Sequence, residues 1–136
     1  MKPGSIAFLA AATAVSLILL GRSRRPRRRR IGMVIGVRPD RLSAYEALHA
    51  ASNHGVRDLL TKYHMHSFSI YLQKLEDDRY YLFGYYEYTG SDYAGDMARL
   101  SAEPRNQEWL QSTDPMQIPL PGEASWTMMR EVYYNA

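Results

Sequence analysis

The 136-residue chain contains no cysteine. This absence excludes disulfides, a thiolate nucleophile and any cysteine-ligated zinc or iron–sulfur site, and it permits a reducing compartment. Also missing are the glycine-rich turns GxGxxG and GxxxxGK that cradle phosphates, the GxSxG elbow of serine hydrolases and the HExxH helix of zinc peptidases. Basic residues are scarce where a fold is expected. Eight of the 17 Lys and Arg lie in the first 30 residues, and from Ile31 onward nine basic residues face 14 acidic ones. A domain that acidic lacks the clustered cations on which phosphate-backbone binding rests, so no nucleic-acid partner is expected.

The N-terminus is the exception to this balance. Pro3 to Gly21 carries no charge, has the apolar centre "IAFLAAATAVSLILL" and runs straight into "RSRRPRRRR". Three readings stay open: a secretory signal, although its only leading charge is Lys2; a short membrane anchor, with residues 6–30 touching the bilayer and the arginines holding the domain on the cytoplasmic side; or a segment outside the working protein, with Met33 as its true start. Each leaves the chemistry to residues 31–136, in a domain expected to face the cytoplasm. That length suits one core.

Within it, "IGMVIGV" (Ile31 to Val37) is a β-branched apolar run that reads as a buried strand. Pro39 and Asp40 supply a helix start, and Leu42, Tyr45, Leu48, His49, Ser52, Val56, Leu59, Leu60 and Tyr63 then recur at steps of three and four as one helical stripe. His66 to Lys74 alternates with period two, "LEDDR" makes a charged turn, and Tyr80 to Tyr88 completes an antiparallel hairpin. A second helix spans Asp92 to Glu103, breaks at Pro104 and resumes through Trp109. "STDPMQIPLPGEAS" reads as a loop, and Trp126 to Tyr134 as a last strand. The order βαββαβ predicts an α+β, ferredoxin-like domain whose four-stranded antiparallel sheet is covered by helices on one face. Its other face, rich in Tyr, Phe and Met, is expected to be covered by a second copy, giving a homodimer.

Tyr45 and His49 are four apart and therefore neighbours on a helix surface. An inward-facing histidine is either a satisfied core group or the natural proton carrier at neutral pH. His49, His54, His64 and His66 fall within 18 residues, but His49 and His54 are about 140° apart around a helix, so no metal site is expected. Eleven tyrosines and two tryptophans suit either core packing or the stacking and hydrogen bonding of sugars.

The segments "MVIGVRPDRLSAYEALH", "FSIYL", "YLFGYYEYTGSDY", "EWLQSTDPMQIPLP" and "MREVYY" occur in order over residues 31–134. As an ordered set they resemble the L-rhamnose mutarotases. That resemblance implies a dimeric α+β barrel, no cofactor, and interconversion of the α and β anomers of L-rhamnose. By position, His49 falls on the family's proton donor, Tyr45 on a sugar-binding tyrosine and Trp109 on the second residue of a Trp-Trp pair. Glu108 stands where that pair has its first tryptophan, Phe68 where the family has a binding tyrosine, and Asn53 and His54 where it usually has Trp-Pro. The implied mechanism is acid–base catalysis in which His49 protonates the ring oxygen while Tyr45 or a water handles the anomeric hydroxyl. Two alternatives accompany it: a sugar-binding or regulatory homologue without turnover, and another enzyme of the dimeric α+β barrel class.

Overall fold

The computed structural model describes residues 28–136. The three readings of the apolar N-terminal segment therefore lie outside the described residues; among those described, no helix is long and apolar enough to cross a membrane.

The first strand, β1 (Arg29–Val37), begins two residues earlier than the apolar run suggested. Its extension into the arginine run is held by partners that the sequence does not place side by side. Arg28 reaches Glu87 at 2.9 Å, the Arg30 guanidinium is bidentate to Glu131 at 2.7 and 2.8 Å, and Arg29 sits over the Tyr93 ring. Strands β2 (Met65–Lys74) and β3 (Tyr80–Tyr88) form the expected hairpin, and β3 pairs antiparallel with β1 along its whole length. The last strand is shorter than expected and comes in two pieces. β4 (Gln117–Ile118), inside the segment read as a loop, pairs with the end of β1, and β5 (Thr127–Met129) pairs with its middle. Together they fill one position, so the sheet runs β2, β3, β1, then β4 and β5, the antiparallel ferredoxin-like layout.

The helical stripe after β1 is also interrupted. It forms α1 (Leu42–His49), a turn over residues 50–56, and α2 (Arg57–Lys62). The break has local causes. Asn53 turns its side chain back to the Leu48 carbonyl at 2.8 Å, and Gly55 adopts φ +56°, both choices that compete with a continuous helix. The Arg57 guanidinium then takes up carbonyls that a helix would have used, donating to His49 and Ala50 at 3.0 and 3.2 Å and to Asn53 and His54. Asp40 is not a cap; it lies in a short 3-10 turn (Pro39–Arg41) and pairs with Arg38 at 3.1 Å. The second helical region matches its expectation: α3 (Tyr93–Ala102) is capped by Asp92 and gives way at Pro104 to α4 (Pro104–Thr113).

Alternation places Ile31, Met33, Ile35 and Val37 of β1 and Leu82, Tyr86 and Tyr88 of β3 on the helix-covered face. They form two clusters. One joins Ile31, Met33, Tyr86 and Tyr88 to α2 and α3; the other joins Ile35, Val37 and Leu82 to Tyr45 of α1. Gly84 lies between them on β3, where a Cβ would stand 2.8 Å from the Met33 side chain.

One polar cluster ties the layers together. The buried Asp96 carboxylate on α3 accepts from the Tyr88 hydroxyl at 2.5 Å, from Arg99 at 2.7 Å and from His64 Nδ1 at 2.9 Å. The Tyr88 and Arg99 bonds pull this carboxyl down to about 2, from an ordinary 3.8. Because the folded state holds the ionised form, the stabilisation is complete above about pH 4 and is lost as pH falls toward 2. Asp96→Asn should lower the melting temperature at pH 7 by several degrees, and the gap from the parent should close between pH 4 and 2 in thermal melts followed by circular dichroism; a gap unchanged at pH 2 would assign the loss to something other than the ionised carboxylate.

Candidate active site

Where the two core clusters meet, the helices stand off from the sheet and leave a cavity of about 490 Å³. That is within the range of small-molecule sites, ~300–1,000 Å³. Its floor is Met33, Phe68 and Ile70 from the strands, its walls are α1 and α4, and Trp126, just before β5, closes it by packing against both clusters. Phe68 is fixed by stacking on Tyr86, 5.1 Å between ring centroids.

His49 is the last residue of α1 and half-buried in the wall. Its ring is sandwiched. Tyr45 stacks on it at 4.1 Å and 25°, and Trp109 of α4 meets it edge-on at 5.1 Å and 72°. Its Nδ1 lies 2.8 Å from the Tyr45 carbonyl. A carbonyl only accepts, so Nδ1 carries the hydrogen and Nε2 is left to exchange a proton. Burial lowers the His49 pKa, the bond to Tyr45 opposes this, and the Arg57 charge lowers it further. The ring therefore starts neutral at pH 7. Tyr45 is almost fully buried, and burial pushes its phenol up to about 12 against a weaker pull from Gln117. It holds the imidazole in place and offers a neutral hydroxyl.

The structure thus brings Tyr45, His49, Phe68 and Trp109 to one cavity. It does not bring Glu108 there. Glu108 is exposed because it precedes Trp109 by a single residue, about 100° around α4, which turns it to the outer side. Of the pair Asn53 and His54, the first is spent on the Leu48 carbonyl and the second lines the cavity. The other histidines are dispersed, His64 to Asp96 and His66 to β2, and among the described residues no cluster of three or more His, Asp or Glu could hold a metal. Sequence reasoning missed Arg57, Asn106 and Trp126. Asn106 is buried and lines the cavity, but a lone asparagine among polar helix residues carries no periodic signal. Trp126 was visible only as the start of a strand.

The turn after His49 is also built against this wall. A Cβ on Gly55 would stand 3.1 Å from the Trp109 ring, at a φ of +56°. Gly55→Ala should cost roughly 1–2 kcal/mol from the left-handed backbone alone, read by urea denaturation, and should perturb the near-UV spectrum of Trp109; unchanged stability would mean that the turn relaxes freely.

A family model described as L-rhamnose mutarotase matches residues 30–135 of the chain. No curated protein sequence matches it. Among solved structures, the L-rhamnose mutarotase from Formosa agariphila is similar with a TM-score of 0.58 at 16% identity, over 79% of this chain and 99% of that one. A protein from Nitrosomonas europaea assigned as an antibiotic biosynthesis monooxygenase has a TM-score of 0.48 at 15% identity, over 79% of this chain and 93% of that one.

Proposed function

The chain belongs to the L-rhamnose mutarotase family, and from that premise we propose that its cavity takes L-rhamnose, or a monosaccharide close to it, and interconverts the two anomers with His49 as a proton-transfer group. The observation that carries this reading is the His49 geometry: an imidazole at the wall of a sugar-sized cavity, clamped between two aromatic rings, with one nitrogen tied to backbone and the other free. Residues 31–136 would be the mutarotase unit.

Mutarotation opens a cyclic hemiacetal and recloses it on the other face of C1. The anomeric hydroxyl loses its proton, the C1–ring-oxygen bond breaks, and the ring oxygen gains a proton; rotation about C1–C2 and the reverse steps give the other anomer. Burial changes the starting state of His49 from the one that the resemblance implied. A ring that begins neutral takes the anomeric proton at Nε2 rather than giving one to the ring oxygen. Tyr45, whose phenol is raised to about 12, is poorly matched to moving a proton at pH 7 and serves to stack and position. Trp109 and Phe68 offer ring faces to the C–H side of a sugar, and the Asn106 amide offers hydrogen bonds to its hydroxyls. Glu108, on the outer side of α4, has no part in this scheme.

The chemistry is proton transfer alone, which side chains can supply, so no cofactor is required and activity should survive dialysis against a chelator. His49→Ala should reduce catalysed exchange between the α and β H1 signals of L-rhamnose by at least about 10²-fold, the typical worth of general acid–base catalysis. Saturation-transfer NMR reads this directly. Since the neutral ring is the working form, the parent rate should rise with pH through a midpoint below 6.5. A variant as fast as the parent would remove His49 from the mechanism, and a parent that does not speed exchange would overturn L-rhamnose as substrate.

The sheet face away from the helices supports a homodimer. It carries Gly32 and Gly36 of β1, Phe83 and Tyr85 of β3, Tyr71 of β2 and Met129 of β5, and Tyr71 is 65% exposed. An apolar aromatic sheet face of this kind is a surface to be covered, and a second copy covers it with two-fold symmetry. Phe83→Asp, at the centre of this face, should turn a dimer into a folded monomer in sedimentation velocity; a parent that sediments as a monomer would refute the pairing.

A further inference from the structure

The reaction needs a base at one oxygen and an acid at the other, and His49 supplies only the first at the start of the cycle. We propose that His54 is the second catalytic group, an imidazole that gives a proton to the ring oxygen while His49 takes one from the anomeric hydroxyl. This inference rests on the mutarotase reading given above.

Three observations lead to it. His54 lines the same cavity as His49, and among the described residues these are its two imidazoles. Its side chain is anchored although it lies on a turn: Nε2 is 3.0 Å from Asp58 Oδ1, one helical turn on, and the other Asp58 oxygen is held by Arg105 reaching across from α4. Its backbone is fixed on both sides, by Arg57 on the Asn53 and His54 carbonyls and by Arg105 on the Gly55 carbonyl, with Gly55 packed against Trp109. The His54 side chain is 69% exposed, so the Asp58 contact orients it at the open rim of the cavity rather than burying it.

The tether also sets which nitrogen works. A carboxylate only accepts, so Nε2 carries the hydrogen facing Asp58 and Nδ1 is the nitrogen left for a ligand. In the charged ring Nδ1 carries a hydrogen too. The cycle then balances. His49 Nε2 takes the anomeric proton as C1 becomes a carbonyl, the bond from C1 to the ring oxygen breaks, and that oxygen takes the proton from His54 Nδ1. After rotation about C1–C2 the hydroxyl attacks the other face, returns its proton to His54, and the new anomeric oxygen recovers its proton from His49. Both rings end as they began.

In the working arrangement His49 Nε2 is open to take a proton and His54 Nδ1 has one to give. The charged or titratable groups around them are Asp58, Arg57 and Arg105 beside His54, Tyr45 and Arg57 beside His49, and Asp114 at the far rim of the cavity. A reaction that needs one group open to accept a proton and another ready to give one has a bell-shaped dependence of rate on pH.

The test is kcat/KM for L-rhamnose anomer exchange against pH, by saturation-transfer NMR, for the parent, His49→Ala, His54→Gln and Asp58→Asn, with each variant's fold checked by circular dichroism. His54→Gln should lower kcat about 10²-fold and abolish the falling basic limb, with Asp58→Asn lower by about tenfold. His54→Gln with the parent's kcat and the parent's pH profile, or changed only in KM, overturns the inference while an inactive His49→Ala leaves the mutarotase reading standing. Parent-like rates in both histidine variants, or no catalysed exchange by the parent, overturn both.

Discussion

One guanidinium organises the working end of the molecule. Arg57 donates to the carbonyls of His49, Ala50, Asn53 and His54, at the end of α1 and in the turn that follows it. Hydrogen bonds to a charged group are worth ~1.5–3 kcal/mol when sheltered and less at an exposed one such as this. Their larger effect is geometric. The clasp ends α1 at His49, folds residues 50–56 into a turn and starts α2, so both imidazoles of the cavity are positioned by the same cation. It also sets a fixed positive charge near His49, which acts with burial to keep that ring neutral.

The cavity lies where the two core clusters meet. Gly84 leaves room for Met33 and Trp126, whose side chains a Cβ there would meet, and both of those residues also line the cavity. The tyrosines do two jobs that their number alone does not separate. Tyr86 and Tyr88 are core residues whose hydroxyls are met by Tyr93 and Asp96, whereas Tyr45 uses its ring to orient a histidine. Those on the opposite face, Tyr71 and Tyr85, belong to the surface that a second copy would cover.

Much of this is legible in the sequence. Period-two alternation marked the strand His66–Lys74 to within one residue, because a strand with one covered face must alternate, and the aromatic run after the charged turn marked Tyr80–Tyr88 to the residue. Pro104 marked the break between α3 and α4 because proline cannot donate to the helix ladder. The single stripe from Leu42 to Tyr63 misled for a comparable reason. Val56, Leu59 and Tyr63 are indeed buried, but a turn that re-enters the same face preserves that spacing without a continuous helix. Glu108 was placed beside Trp109 by its neighbour in sequence, and helical geometry turned it away.

The sequence by itself determined the family, the order of the elements, the inward histidine and its stacked tyrosine, since each depends on residue type and on spacing within one element. Only the tertiary structure decided that His49 is sandwiched by a ring from α4, that burial lowers its pKa, and that His54 lines the same cavity with Asp58 and Arg105 behind it. These are relations between residues from four to 60 positions apart, most of them in different elements. No local pattern encodes them, because they arise when hydrophobic burial packs α1, α2 and α4 over one sheet and fixes their distances.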